Sequence, residues 1–260
     1  KKLIRYKPII LVVKIRISKS EPALMIEGSK RYMVITDLHI GFEDKFSSNK
    51  IEMGKNSPIN ETINKIKNLI QIEKPETLIL LGDVKSSIRR ISNTEWNDIP
   101  KFFEEIKKNV DLILVPGNHD ANIQQLIPND VTITNSIGLV IDDILLTHGH
   151  TMPAENFSSV NKIIMGHIHP VFFDKSSLLN GKRVWISLKT TKEQIFPSSF
   201  GELEITIMPS FNPYFYATKK RFYKKSISPL IGRLEQITEA KIVTLDGIII
   251  GNKSILADLI

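Results

Sequence analysis

Leu112-Ile113-Leu114-Val115-Pro116-Gly117-Asn118-His119-Asp120 is the stretch on which the fold of this chain turns. Four apolar residues in a row predict a strand buried on both faces, as in a parallel sheet covered on each side. Proline and glycine then end it, and the turn sets a neutral amide oxygen, an imidazole and a carboxylate at the strand's carboxyl end. In open α/β sheets that end is where ligands bind.

Working outward, the arrangement recurs. Upstream, Tyr32 to Thr36 predicts a strand that delivers Asp37-Leu38-His39. Residues two apart in an extended segment share a face, so Asp37 and His39 are expected to reach one ion together. A loop, Ile40-Gly41-Phe42-Glu43, leads to a helix over Pro58 to Glu73, with Ser57 as N-cap and Ile59, Ile63, Ile66 and Ile70 on one stripe. A strand over Thr77 to Leu81 ends in Gly82-Asp83. A second helix, Asp98 to Lys108, is expected to turn Ile99, Phe103 and Ile106 inward with Pro100 in its first turn. Strand, helix, strand, helix, strand predicts a parallel core with right-handed crossovers.

Downstream, Ile144 to Thr147 delivers His148-Gly149-His150, and Lys162 to Met165 delivers Gly166-His167-Ile168-His169. The remainder reads as antiparallel: Val184 to Leu188, the alternating Glu202 to Met208, and a hairpin of Lys241 to Leu245 and Ile248 to Ile250 around Asp246-Gly247.

A chain of 260 residues with no linker-like tract is expected to form one large domain, residues 31–260, preceded by an N-terminal extension and first strand region in residues 1–30. Lys and Arg outnumber Asp and Glu by 35 to 28, a formal charge of +7 that attracts polyanions. The absence of cysteine excludes disulfides and thiolate metal sites, so any metal must be held by nitrogen and oxygen. The apolar run Ile9 to Val13 is far short of the ~20 residues of a membrane span and short for a secretory signal, so the expectation is a cytoplasmic protein without membrane contact.

All six histidines fall within residues 37–39, 117–120, 148–150 and 166–169, each close behind an apolar run. Ordinary core or surface histidines would be scattered. With Asp37, Asp83 and Asn118 they form a donor set suited to first-row divalent ions, larger than one tetrahedral ion needs. Two ions about 3.5 to 4 Å apart, bridged by a carboxylate, accommodate it and clamp the attacking and leaving oxygens of phosphoryl transfer. Two divalent ions against two anionic side chains leave a positive site that draws a phosphate ester.

These successive motifs resemble those of the calcineurin-like metallophosphoesterase superfamily, and their order and spacing resemble its archaeal SbcD-related, or ICC-like, branch. Ser210-Phe211-Asn212-Pro213 and Arg233-Leu234-Glu235 through Asp246-Gly247 extend the similarity. The resemblance implies an α/β fold of two facing mixed β-sheets flanked by helices, a four-layer αββα sandwich. It implies that Asp37, His39 and His169 hold one ion, that Asn118, His148 and His167 hold the other, and that Asp83 bridges them. His119 would be the general acid beside the leaving group, and manganese is the favoured metal, with iron, zinc, nickel or cobalt as the alternatives. Where many superfamily members carry an acidic residue that orients this histidine, the chain has Ser86; its hydroxyl or Glu43 is the expected substitute.

His150 is expected either behind the metal ligands or at the substrate rim, and Lys85, Arg89 and Arg90 are expected to hold flanking phosphates of the substrate. Lys219-Lys220-Arg221-Phe222-Tyr223-Lys224-Lys225, after Tyr214, Phe215 and Tyr216, interleaves cations with aromatics as single-stranded nucleic-acid binders do, and reads equally as a solvated turn over packed aromatics. The expected function is hydrolysis of phosphodiester bonds in nucleic acid, DNA or RNA, or in nucleotides, in DNA repair. A small-molecule phosphomonoesterase and a repair accessory protein that binds nucleic acid or a helicase partner remain the alternatives.

Overall fold

The structure, a computed structural model, describes residues 13–19, 21–44, 58–214 and 227–260. Two sheets face each other. The first has six strands in sequential order: β1 (Lys14–Ile17), β2 (Leu24–Glu27), β3 (Arg31–Ile35), β4 (Thr77–Leu81), β5 (Asp111–Val115) and β6 (Thr132–Ile133). β1, β2 and β3 pair antiparallel, whereas β3 to β6 run parallel. Crossovers between parallel strands need length, and α1 (Pro58–Glu73) and α2 (Asn93–Ile106) supply it.

The second sheet holds β7 (Leu139–Ile141), β8 (Ile144–Thr147), β9 (Lys162–Met165), β11 (Lys182–Thr191), β12 (Glu202–Ile207), β13 (Glu239–Thr244) and β14 (Ile249–Gly251), with β10 (Val171–Phe172) beside β11. Only β8, β9 and β12 are parallel to one another. Within each sheet, therefore, the strands followed by histidine and aspartate motifs run parallel to one another.

Strand alternation sorts the apolar residues into layers. On β4, Leu78 and Leu80 face α1 and α2, while Ile79 and Leu81 face the second sheet. Ile144, Leu146 and Ile164 meet them from the other side. The outer face of the second sheet is covered by short pieces: α3 (Pro229–Gly232), single turns at Glu155–Phe157 and Lys192–Gln194, and two turns at Lys253–Asp258. The sandwich is thus four-layered, with long helices on one side only among the described residues. None of the described helices is long and apolar enough to cross a membrane.

Two sequence expectations need correction. α2 begins at Asn93, not Asp98, because Ser92 caps it and Glu95 closes a capping box. Pro100 consequently lies in the helix interior rather than its first turn. Val184 to Leu188 is the middle of a longer strand, β11, paired with β12 on one side and β13 on the other. The hairpin at Asp246-Gly247 forms as expected, with Gly247 at φ 90°. Ser57, the residues before Val13 and the stretch Lys219 to Lys225 lie outside the described residues.

Candidate metal centre

Six parallel strand ends deliver the site. β3 gives Asp37 and His39, β4 gives Asp83, β5 gives Asn118 and His119, β8 gives His148, β9 gives His167 and His169, and β12 runs into Ser210-Phe211-Asn212. The first three belong to one sheet and the last three to the other, so the site closes the seam between them.

The backbone there is bent hard. Asp37, His39, Asp83, His167 and His169 all have φ between 45° and 71°, a left-handed region that non-glycine residues rarely occupy. Asp37 and His39 therefore converge through two left-handed turns and not, as the sequence suggested, by alternation along an extended segment. Neighbouring loops hold the turns: Asp37 N–H donates to Gly82 O at 3.1 Å and His39 N–H to Asp83 O at 2.9 Å. Ser210 Oγ donates to Asp37 O at 2.9 Å, and Asn212 Nδ2 to Leu38 O at 3.0 Å. Gly166 is required by close approach, since a Cβ there would lie 2.1 Å from Thr36 Oγ1 and 2.7 Å from Asp37 Oδ2.

Within this frame the side chains converge. Asp37 Oδ1 is 2.9 Å from His148 Nε2 and 3.1 Å from His169 Nε2. Asp83 Oδ2 is 3.6 Å from His148 Nε2, 3.8 Å from His119 Nε2 and 3.9 Å from His39 Nε2. Three overlapping sets of possible ligands result: Asp37, His39 and His169; His39, Asp83 and His119; and Asp83, His148 and His167. Asp83 belongs to two of them.

Asp37, His39, Asp83 and His148 are buried, whereas His119 and His169 keep 14% and 12% of their side chains exposed and so mark the mouth. Burial of this many ionisable groups shows in their titration. Burial pushes the Asp83 carboxyl up to about 7, with Asp37 and Asp120 reinforcing it. Burial also opposes the charge on His148, but Asp83 and Asp37 outweigh it and raise the imidazole to about 9. Burial, reinforced by the His148 charge, lowers His167 to about 3 and His150 to about 4. Asp37 stays well below the carboxylate range because His169 and His148 overcome its burial.

The residues fit a pair of cations. Asn118 Oδ1 is buried without a hydrogen-bond partner, and the Asp83 carboxyl is raised by burial, an environment in which its charged form needs a cation beside it. All donors are imidazole nitrogen, carboxylate or amide oxygen, the set expected of first-row divalent ions.

The other expected site residues fall as follows. His119 Nδ1 lies 2.6 Å from Ser86 O; a carbonyl only accepts, so this nitrogen carries the proton. The Ser86 hydroxyl does not do this work: Ser86 Oγ is buried without a hydrogen-bond partner, as is Glu43 Oε2. His150 sits behind the ligands, its Nδ1 3.2 Å from His148 Nδ1. Lys85, expected on substrate, is fully buried and its ammonium is turned onto the Ser87 carbonyl. Arg89 is exposed on the loop after Ser87.

Two residues without an assigned role in the sequence reading are structural keys. Asp120 Oδ1 accepts from Val84 N–H at 2.9 Å and Lys85 N–H at 3.2 Å, while Oδ2 accepts from Gly117 N–H at 2.8 Å, tying the β4 loop to the β5 loop. Glu95, 1% exposed, holds the loop after Lys85 through four donors. Ser92-Asn93-Thr94-Glu95 carries the capping-box signal that would have found it.

Residues 30–187, more than half of the chain, match the family described as Calcineurin-like phosphoesterase. No curated protein matches the chain. Among solved structures, the chain resembles the nuclease MPE of Pseudomonas putida, with a TM-score of 0.56 and 16% identity over 90% of this chain and 98% of that one. It also resembles Yfce, a phosphoesterase from E. coli, with a TM-score of 0.40 and 16% identity over 85% and 97% of the two chains.

Proposed function

Because the chain belongs to the calcineurin-like phosphoesterase family, we propose that it is a two-metal hydrolase of phosphodiester bonds in nucleic acid or nucleotides. One observation carries this reading: Asp83 lies within ligand distance of histidines from both sheets, as a bridging carboxylate requires. Asp37, His39 and His169 would hold one ion, Asn118, His148 and His167 the other, and Asp83 both. Manganese is the favoured metal. When bound, the pair supplies a water of lowered pKa and neutralises charge on the phosphoryl oxygens.

The chain's own residues do the rest. His119 keeps its Nδ1 proton on Ser86 O, so Nε2, 3.8 Å from Asp83 Oδ2, is the nitrogen turned to the reacting group. Protonated there, it donates to the departing alkoxide, a role worth about 10²- to 10⁴-fold. Burial around His39 and His148 excludes water.

A nucleic-acid substrate is supported by features at the rim. Arg89 and Arg90 are exposed three and four residues beyond Ser86, where flanking phosphates would lie. Tyr214, 45% exposed, stacks on Phe42 at 5.4 Å and offers an aromatic face to a base. The nuclease whose fold the chain shares makes a phosphodiester the first substrate to try. We place the chain nearest the SbcD-related branch by its motif order, with a role in DNA repair.

The test is metal analysis of the purified protein followed by hydrolysis, with manganese, of bis(4-nitrophenyl) phosphate and 4-nitrophenyl phosphate, then of labelled single- and double-stranded DNA. Two ions per chain, diester preference and DNA cleavage are expected. Monoester preference would instead support a small-molecule phosphomonoesterase. Salt-sensitive DNA binding without metal-stimulated cleavage would support an accessory role.

A further inference from the structure

We infer that Glu95 is a positioning residue for His119, acting through the Ser86–Ser87 peptide unit. The inference rests on the reading of His119 as the proton donor. His119 Nδ1–H donates to Ser86 O at 2.6 Å. The N–H of the same peptide unit, that of Ser87, donates to Glu95 Oε1 at 2.7 Å. Carboxylate, peptide and imidazole therefore form one line of hydrogen bonds.

The physical effect is cooperative. An anion on the N–H of an amide draws electron density toward its carbonyl oxygen, and that oxygen becomes a stronger acceptor for the next donor in line. Ser86 O thus presents more negative charge to His119 than an unassisted carbonyl would. The imidazole gains the fixed tautomer and orientation that a carboxylate in direct contact provides, and no acidic side chain is needed at position 86.

Glu95 is built for the task. Its Oε1 also accepts from Ser86 N–H at 2.9 Å, and its Oε2 accepts from Ser87 Oγ at 2.5 Å and Ser92 N–H at 2.8 Å. The Lys85 ammonium on the Ser87 carbonyl holds the next peptide. Gly41 lets the β3 loop close over it, since a Cβ there would lie 2.7 Å from Glu95 Cγ. A helix cap alone would need only the contacts to Ser92. Those to Ser86 and Ser87 reach toward His119.

The experiment compares Glu95→Gln with wild type on two diesters, one with a 4-nitrophenyl leaving group that departs without a proton and one with an alkyl leaving group that needs it. Metal content and thermal melting are measured on the same samples. We expect two ions retained, turnover of the aryl diester within about threefold, and turnover of the alkyl diester down roughly 10- to 100-fold, part of the general-acid contribution. Ser86→Asp in the Glu95→Gln background should restore alkyl turnover by placing a carboxylate directly beside His119. Equal losses on both diesters, or no loss, in a folded variant would overturn the relay. In case Glu95→Gln fails to fold, the wild-type protein decides: the Ser87 amide proton and the His119 Nδ1 proton should both be observable by NMR and protected from exchange, and rapid exchange of either would sink the inference. Wild-type protein inactive on both diesters would refute the proposed function, while the NMR result would still stand for or against the relay.

Discussion

His148 Nε2 lies 2.9 Å from Asp37 Oδ1 and 3.6 Å from Asp83 Oδ2, so two carboxylates act on one imidazole. Burial alone would keep His148 neutral; Asp83 and Asp37 raise it to about 9 instead. Below that pH His148 is expected to carry the proton, which it must lose to serve as the metal ligand proposed above. Loading with manganese at pH 8 should therefore release about one proton from His148, and apparent affinity should rise with pH until it levels near 9. Calorimetric titration in buffers of different ionisation enthalpy checks this; a buffer-independent heat at pH 8 contradicts it. Roles divide at the same scale. His119→Ala should keep both ions and lose about 10²- to 10⁴-fold in turnover, whereas Asp83→Ala should lose metal, as metal analysis beside steady-state rates would reveal. Equal metal content in the two variants would refute the division. The imidazoles were readable from the sequence because each follows a buried run directly. Glu95 was not, since its link to His119 passes through a backbone carbonyl that carries no residue identity.

Among the elements, β4 and β5 are packed so that their following loops interlock. A Cβ on Gly117 would lie 2.4 Å from the backbone N of Asp83 and 2.2 Å from its Oδ1. Asp83 N belongs to the backbone and cannot step aside as a flexible side chain can, so the Asp83 carboxylate would be displaced. Gly117→Ala should accordingly lower stability by about 1 to 3 kcal/mol, in the range of ordinary destabilising substitutions, and reduce metal content more than stability. Urea unfolding and metal analysis of the variant would check both; full metal occupancy would show that the loops can part. Strands β4, β8 and β9 were legible to the residue because continuous apolar runs end abruptly in glycine, threonine or methionine before a polar motif. The start of α2 was not. Pro100 suggested a first turn, but the Ser92 and Glu95 capping box outweighed it and carried the helix through the proline. The sparse helix layer over the second sheet was also hidden, because the apolar residues of its short turns lack a helical stripe.

For the whole molecule, the consequence of building one site from two sheets is mechanical. Asp37, His39, Asp83 and Asn118 come from the first sheet, and His148, His167 and His169 from the second. Between the sheets, apolar contacts such as those of Ile79, Leu81, Ile144 and Ile164 hold the sandwich without direction. Ligation at the seam would add a directional cross-link at the carboxyl ends of the strands and nothing at their amino ends. Ions that bind only the folded chain stabilise it by mass action, about 2.7 kcal/mol at a hundred times the dissociation constant. For a chain of this size that corresponds to roughly 5 to 10 °C in melting temperature. Chelation should therefore lower the melting temperature by this order, and manganese should restore it. Hydrogen exchange should accelerate at residues 36–40 and 165–169 on opposite sheets together, while the start of β4 at Thr77 and of β9 at Lys162 stays protected as before. A uniform rise across both sheets would mean that the ions support the fold globally rather than at the seam, and loss of protection on one sheet alone would mean that they do not join the two.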